Sequence, residues 1–312
     1  MFRSKPVRTT ISFTLVILAF VIGPSDLSAG QPPQRWAVAR LPTPVLNTPD
    51  FRSVYGGSDG SKLCLDKNLL VAELEIVALP GTVFEVHEAI PGRNGVSYLR
   101  VTTDEYPFPS KTGYYVDSRF VSLASERPPH RQCRLPSRSG IRFKLRSAIG
   151  SLYVWGGNWK EGVPEMFEYY PCSVRLSDPA RKTWMLRGVD CSGLIYEASD
   201  GYTPRNASAL VRFGRSVPIA GLTPEQIASR LEPLDLIVWA EHVMIVLDEQ
   251  RVIESMTFGD VPGSPGGVRT RDRVECVRSV MKERAPVDEY DEPASGKGAR
   301  FVVRRWYPTE RR

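Results

Sequence analysis

Apolar and polar positions alternate in short runs through the first third of the chain. Runs at 69–78, 82–89, 97–102, 113–116 and 120–123 read as strands, separated by Pro80-Gly81, the stretch 91–95 and the run 106–112. Short strands at this spacing suit a small all-β barrel over 38–125. Residues 30–40, which hold Pro and Gln, read as a linker before it, and the Arg- and Pro-rich 126–139 as a linker after it. Helix-period spacing then takes over. Ile141, Leu145, Ala148 and Ile149 share one face of a helix that opens at Ser139 or Gly140 and ends at Gly150. Leu194, Ile195 and Ala198 mark a second helix, closed by Gly201. Thr203-Pro204 opens a third, with Thr at the N-cap and Pro at the first helical position, and Thr223-Pro224-Glu225-Gln226 has the form of a capping box for a fourth. Strand patterns return at 235–239, 242–247 and 252–256. A Gly/Pro loop at 259–267, a polar stretch at 283–299 and a closing edge strand at 301–306 finish the chain. Helices first and strands afterwards make 140–312 an α+β domain.

Residues 158–188 break this order. They hold Trp159, Met166, Phe167, Tyr169, Tyr170, Trp184 and Met185, which predicts a long loop packed on a core or roofing a cleft.

The N-terminus is a separate matter. Arg3, Lys5 and Arg8 precede an apolar run at 11–22, and Gly23-Pro24 and Leu27-Ser28-Ala29 follow, so residues 1–29 read as a secretory signal peptide. The run is shorter than the ~20 residues a membrane helix needs, and no membrane anchor is expected after its removal. Export places the protein outside the cytoplasm, in the periplasm, the cell envelope or the medium. At 42% hydrophobic residues the chain can fill ordinary cores. Its net charge of +6 drops by two without residues 1–29, a mild balance that fits an anionic envelope and does not call for nucleic acid. Three scattered His, no clustered Cys and no phosphate-cradling Gly loop predict neither a metal nor another cofactor. Of the five cysteines, at least one must be free. With Cys191 as the free thiol, the other four allow three pairings. Cys64 with Cys133 and Cys172 with Cys276 would each stay within or next to one domain.

Chemistry concentrates at Cys191. Asp190 is a credible N-cap, which puts Cys191 in a first helical turn, where unpaired N–H groups and the helix dipole favour a thiolate. A Cys nucleophile needs a base, and with His87 in the expected barrel and His130 in the expected linker, His242 is left.

Three blocks in order, Tyr153-Val154-Trp155-Gly156-Gly157, Asp190-Cys191-Ser192-Gly193-Leu194 and His242-Val243-Met244-Ile245-Val246-Leu247, resemble the signature of the NlpC family of papain-like cell-wall cysteine peptidases. The resemblance implies a papain-like catalytic domain over 140–312 with Cys191 as nucleophile and His242 as base. The family's orienting residue falls twelve positions after the His and is commonly His, Asn or Gln; here it is Glu254, whose carboxylate can serve the same role. By the same resemblance Tyr153 lines the oxyanion position, and Asp190 and Ser192 bind the free amine of an N-terminal L-Ala on the substrate. The all-β part resembles a bacterial SH3-like domain. The activity implied is hydrolysis of peptidoglycan stem peptides, on intact wall or released muropeptides, at the γ-D-glutamyl–diamino acid bond. An amidase or acyl transfer on the same fold, or a wall-binding protein without turnover, are the alternatives.

Strand register decides whether Glu254 can reach His242. If 242–247 and 252–256 form a hairpin in which paired numbers sum to 499, Glu254 faces away from His242. If they sum to 498, it lies opposite Met244, on the His242 face. The even register is expected.

Overall fold

In the computed structural model, the protein is described over residues 35–257, 266–291 and 298–308. The expected signal peptide and most of the Gly/Pro loop at 259–267 lie outside the described residues.

The first half forms a seven-stranded antiparallel sheet. Its strands are β1 (Trp36–Ala39), β2 (Thr43–Leu46), β3 (Leu74–Ala78), β4 (Val83–Pro91), β5 (Ser97–Thr102), β6 (Tyr114–Asp117) and β7 (Val121–Ala124), in the spatial order β3-β2-β6-β5-β4-β1-β7. Three of these correct the sequence reading: β2 has no counterpart among the expected strands, and β1 and β3 depart from theirs. β1 lies inside the expected linker at 30–40, yet it pairs with both β4 and β7 and turns Ala37 and Ala39 inward. Alanine is too weak an apolar signal to stand out beside the neighbouring prolines. β3 is shorter than expected because residues 66–70 fold into a tight turn in which Leu69 takes a left-handed φ of 63°.

The segment 158–188 completes this sheet's core instead of roofing a cleft. Met166, Tyr170, Trp184 and Leu186 are buried with Phe51, Leu74, Phe84 and Phe120. The Trp184 indole N–H donates to the Tyr170 carbonyl at 3.0 Å, and the Tyr170 ring stacks on Phe51 with centroids 5.9 Å apart. The Tyr170 hydroxyl donates to buried Asp117. The two short helices of this segment, Glu165–Tyr169 and Asp178–Trp184, thus supply apolar area that the sheet's own strands lack.

The second half is a sheet with helices on both faces. Helices α1 (Arg138–Ser147), α2 (Cys191–Ala198), α3 (Pro224–Arg230) and α4 (Arg273–Glu283) surround strands β8 (Arg215–Val217), β9 (Leu236–Trp239), β10 (His242–Val246), β11 (Arg251–Met256), β12 (Gly267–Asp272) and β13 (Arg300–Arg305). The order is β8-β13-β9-β10-β11-β12, with Ala285–Pro286 parallel beside β13. Helices and antiparallel strands segregate along the chain, an α+β arrangement. Period-two burial sorts β10: Val243 and Ile245 join a core with Ile141, Leu145, Leu194 and Ile195, while Met244 and Val246 join another with Ile227, Val277 and Val280.

Several local expectations change here. β13 is not an edge: β8 and β9 flank it, and Phe301, Val302, Val303 and Arg304 are all buried. The helix expected from Thr203 starts later, as Ala207–Leu210, because the Thr203 hydroxyl is engaged with that of Ser199 at 3.2 Å. β12 and α4 have no counterpart in the sequence reading. The paired strand Ala285–Pro286 falls within the stretch read as merely polar. Ser137, not Ser139 or Gly140, caps α1.

The described residues form one compact unit. The buried Asn158 amide joins its halves, accepting from the Val77 N–H at 3.1 Å and donating to the Val77 carbonyl at 2.6 Å. All five cysteines are free. Cys276 is buried in the core of the second sheet while Cys172 packs against that of the first, so this pairing does not form, and neither does Cys64 with Cys133.

Candidate active site

Short strand Gly188–Val189, paired with Asn158–Trp159, delivers the chain to Asp190. Asp190 is extended (φ −85°, ψ −174°), and its Oδ1 accepts the Gly193 N–H at 2.6 Å, which caps α2. Cys191 is therefore the first helical residue, 8% exposed, among N–H groups without intrahelical partners. Gly193 is required by contact: a Cβ there would lie 2.0 Å from the Gly157 carbonyl oxygen. This close approach lets the 153–157 block lie against the first turn, which brings two of the three sequence blocks together.

Under that turn lies a side chain that sequence reasoning missed. Arg205 is only 2% exposed, and its guanidinium donates to both carboxylate oxygens of Asp190, at 3.0 and 2.6 Å. It also donates to Ser192 Oγ (2.9 Å), the Gly157 carbonyl (3.3 Å) and Asn158 Oδ1 (3.1 Å). One cation thus ties the cap of α2, the glycine block and the residue that grips Val77. Such a fork suits a buried carboxylate better than a point charge would. Nothing local in Thr203-Pro204-Arg205-Asn206 announces it.

The third block enters through β10. Pairs Ile245–Ile253 and Val246–Val252 give the even register, so Glu254 falls opposite Met244, on the His242 face. His242 Nε2 is 3.1 Å from Glu254 Oε2. Burial works against a charged imidazole, but hydrogen bonds to Cys191 and Glu254, with their negative charge, outweigh it and push the His242 pKa up to about 9. Burial would also favour a protonated Glu254, yet its pKa is lowered. The hydrogen bond and charge of His242 come first, then Arg269 and Arg271, at 3.1 and 3.5 Å from Oε1. Neither arginine was singled out from the sequence. Their alternation on β12 is the signal that could have found them.

Tyr153, Asp190, Cys191 and Ser192 line one cleft of ≈ 310 Å³. Burial and the nearby Asp190 and Cys191 raise the Tyr153 pKa, so its hydroxyl keeps its proton and remains a donor. The opposite wall comes from the first sheet: Glu75 Oε2 accepts from the Tyr106 hydroxyl at 3.2 Å, and both residues face the cleft. None of residues 158–188 lines it. The structure therefore brings together all six residues singled out from the sequence and adds Arg205, Glu75, Tyr106, Arg269 and Arg271. Chemically, the arrangement can hold a thiolate beside an imidazolium, with Cys191 at a helix start and the Tyr153 hydroxyl on the same cleft.

No known protein-family model matches the chain, and no curated protein matches it. Among solved structures the chain is similar to an NlpC/P60 family protein from Bacillus cereus, at 14% identity and a TM-score of 0.32, over 88% of this chain and 63% of that one. It is also similar to a hypothetical invasion protein of Mycobacterium tuberculosis, at 21% identity and a TM-score of 0.28, over 45% of this chain and 60% of that one. The chain thus spans less than two thirds of the length of either.

Proposed function

We propose that the protein is a cysteine peptidase of the NlpC type that hydrolyses peptidoglycan stem peptides. The observation that carries this reading is the run Cys191–His242–Glu254: a thiol at a helix start, an imidazole whose pKa that thiol helps to raise, and a buried carboxylate 3.1 Å behind the imidazole. The Cys191 thiolate adds to the peptide carbonyl, and the oxyanion meets the Cys191 N–H and the Tyr153 hydroxyl. The C–N bond then breaks as the His242 imidazolium gives its proton to the departing amine. In deacylation neutral His242 takes a proton from water, the hydroxide adds to the acyl carbon, and the thiolate leaves, so the ion pair is restored.

The bond proposed is the γ-D-glutamyl–diamino acid bond. Glu75, Asp190 and Glu241 put three carboxylates on the cleft against one buried guanidinium, Arg205, and the surplus negative charge suits the ammonium of an N-terminal L-Ala beside Ser192. On this reading the all-β half is an SH3-like domain that closes one end of the cleft. Export by residues 1–29 brings the enzyme to the envelope, where wall or released muropeptides are its partners.

Digestion of defined stem peptides, with and without a free N-terminal L-Ala, tests this by product mass. Cleavage after D-Glu that prefers the free amine is expected; no cleavage at that bond defeats the reading. Glu254, a carboxylate in the third position, favours an amidase as second reading, and that enzyme would leave the stem intact and separate it from glycan.

A further inference from the structure

Glu254 holds the His242 ring at one nitrogen, and the second side-chain torsion of a His is broad, so the plane of the imidazole needs a further restraint. The hairpin that carries His242 supplies one. β9 and β10 are joined by the two-residue turn Ala240-Glu241, which makes Trp239 and His242 its closing pair, directly opposite one another. Their ring centroids lie 5.2 Å apart, with the planes at 46°. The indole is held in turn. Trp239 is 8% exposed, and the Arg284 guanidinium lies over its ring, 4.4 Å from the centroid.

Arg284 comes from a distant part of the chain. It directly follows α4, and its N–H donates to the Val280 carbonyl at 2.9 Å, so the end of that helix fixes its backbone. Its ion pair with Glu283, at 3.0 Å, involves a carboxylate side chain that is 76% exposed and holds the guanidinium weakly. The turn is fixed as well, because the Ala240 N–H donates to the Tyr290 hydroxyl at 3.1 Å. Ala240 and Glu241 line the cleft, whereas Trp239 and Arg284 are not among its lining residues.

We propose that Trp239 and Arg284 are positioning residues that brace His242. The indole restrains the plane of the imidazole while Glu254 orients it, and the Arg284 guanidinium keeps the indole from turning away. The residue that matters here thus sits at the end of α4, outside the cleft, and acts through one aromatic ring. The proposal rests on the peptidase reading for its substrate only, since the brace is a property of the Cys191–His242 pair.

The test is a double-mutant cycle with two readouts. One is turnover of L-Ala-γ-D-Glu-L-Lys. The other is iodoacetamide labelling near neutral pH, followed by peptide mass so that Cys191 is separated from the other cysteines. Trp239→Leu is expected to lower kcat roughly a hundredfold with KM unchanged, the size of a misplaced catalytic group, and Trp239→Phe, which keeps a flat ring, to recover most of it. Arg284→Ala should lower kcat roughly two- to fivefold, the size of a cation–π contact, and should change nothing further in the Trp239→Leu background. Labelling of Cys191 should slow in the same order. Native kcat and native labelling in either single variant overturn the brace, as does an equal loss in Trp239→Phe and Trp239→Leu, or a change confined to KM. Losses that multiply in the double variant overturn the route through the indole. If the native enzyme leaves the peptide uncut, the peptidase reading falls, and the labelling rates alone decide the brace. Should Trp239→Leu lose its native far-ultraviolet spectrum, Arg284→Ala, on a side chain 23% exposed, carries the test.

Discussion

Two buried carboxylates flank Cys191, and they face opposite kinds of cation. Asp190 is gripped by Arg205, whose guanidinium stays charged at any pH the fold survives. Glu254 faces His242, an imidazole that can give its proton away, and Arg269 and Arg271 hold the carboxylate from behind. The first cluster is a fixed charge pair that ties three chain segments together. The second is a proton store whose carboxylate is kept ionised by the outer arginines. A nucleophile of this kind needs both: a rigid shelf for the sulfur and a titratable partner beside it.

The sharpest break in the comparison removes the reacting groups. Cys191→Ala and His242→Ala should each abolish hydrolysis of stem peptides while the far-ultraviolet spectrum stays native, and an active Cys191→Ala protein would end the assignment. Glu254→Gln keeps a hydrogen-bonding side chain and deletes the charge. It should lower kcat by roughly 10³–10⁴-fold, as loss of the orienting carboxylate does in serine triads, with the protein still folded.

On the Asp190 side the loss should appear as stability. Arg205→Ala leaves a buried carboxylate without its cation, which costs about 3–5 kcal/mol. Denaturant unfolding should show it, and a midpoint equal to the native one would mean that the fork holds nothing. Asn158→Ala should cost less, about 1–3 kcal/mol, because it strands the buried N–H and carbonyl of Val77 and takes one acceptor from Arg205, whose charge stays paired with Asp190.

How far these two clusters were legible differs for a physical reason. Cys191, Asp190, His242 and Glu254 could be placed because helix capping and strand alternation are local rules: an N-cap sets the first turn, and an even register sets the face. Arg205 obeys no local rule; its partners lie 15 residues away at Asp190 and 47 away at Asn158, and only the tertiary path joins them. The sheets show the same divide. β5 was legible from its alternation, whereas β1, with alanines as its inward residues, was not. α4 had readable signs, Asp272 capping Glu275 and Cys276, Val277 and Val280 on one face, and the reading passed over them. The aromatic segment 158–188 was legible as buried, but not as the missing core of the other sheet.

The smallest effect expected is also the one that separates the clusters by pH. The folded pKa of His242, about 9, lies above its ordinary 6.5, so the imidazolium's contribution to stability is fully present below about pH 6.5 and lost as pH rises through about 9. Burial works against the charge on Arg205, but the Asp190 carboxylate beside it raises its pKa, so this guanidinium loses no proton in that window. The native protein should therefore lose stability between pH 7 and pH 10 more steeply than Glu254→Gln, in which one of the two partners that raise the His242 pKa, beside Cys191, has lost its charge. Alkylation of Cys191 should run in parallel: with an imidazolium beside the sulfur, reaction with iodoacetamide should already be fast near pH 7. In Glu254→Gln the rate at that pH should fall. A native alkylation rate near pH 7 no faster than that of Glu254→Gln, or a stability profile that Glu254→Gln leaves unaltered, would mean that His242 holds no proton for Cys191, and the contrast between the two carboxylates would reduce to two structural ion pairs.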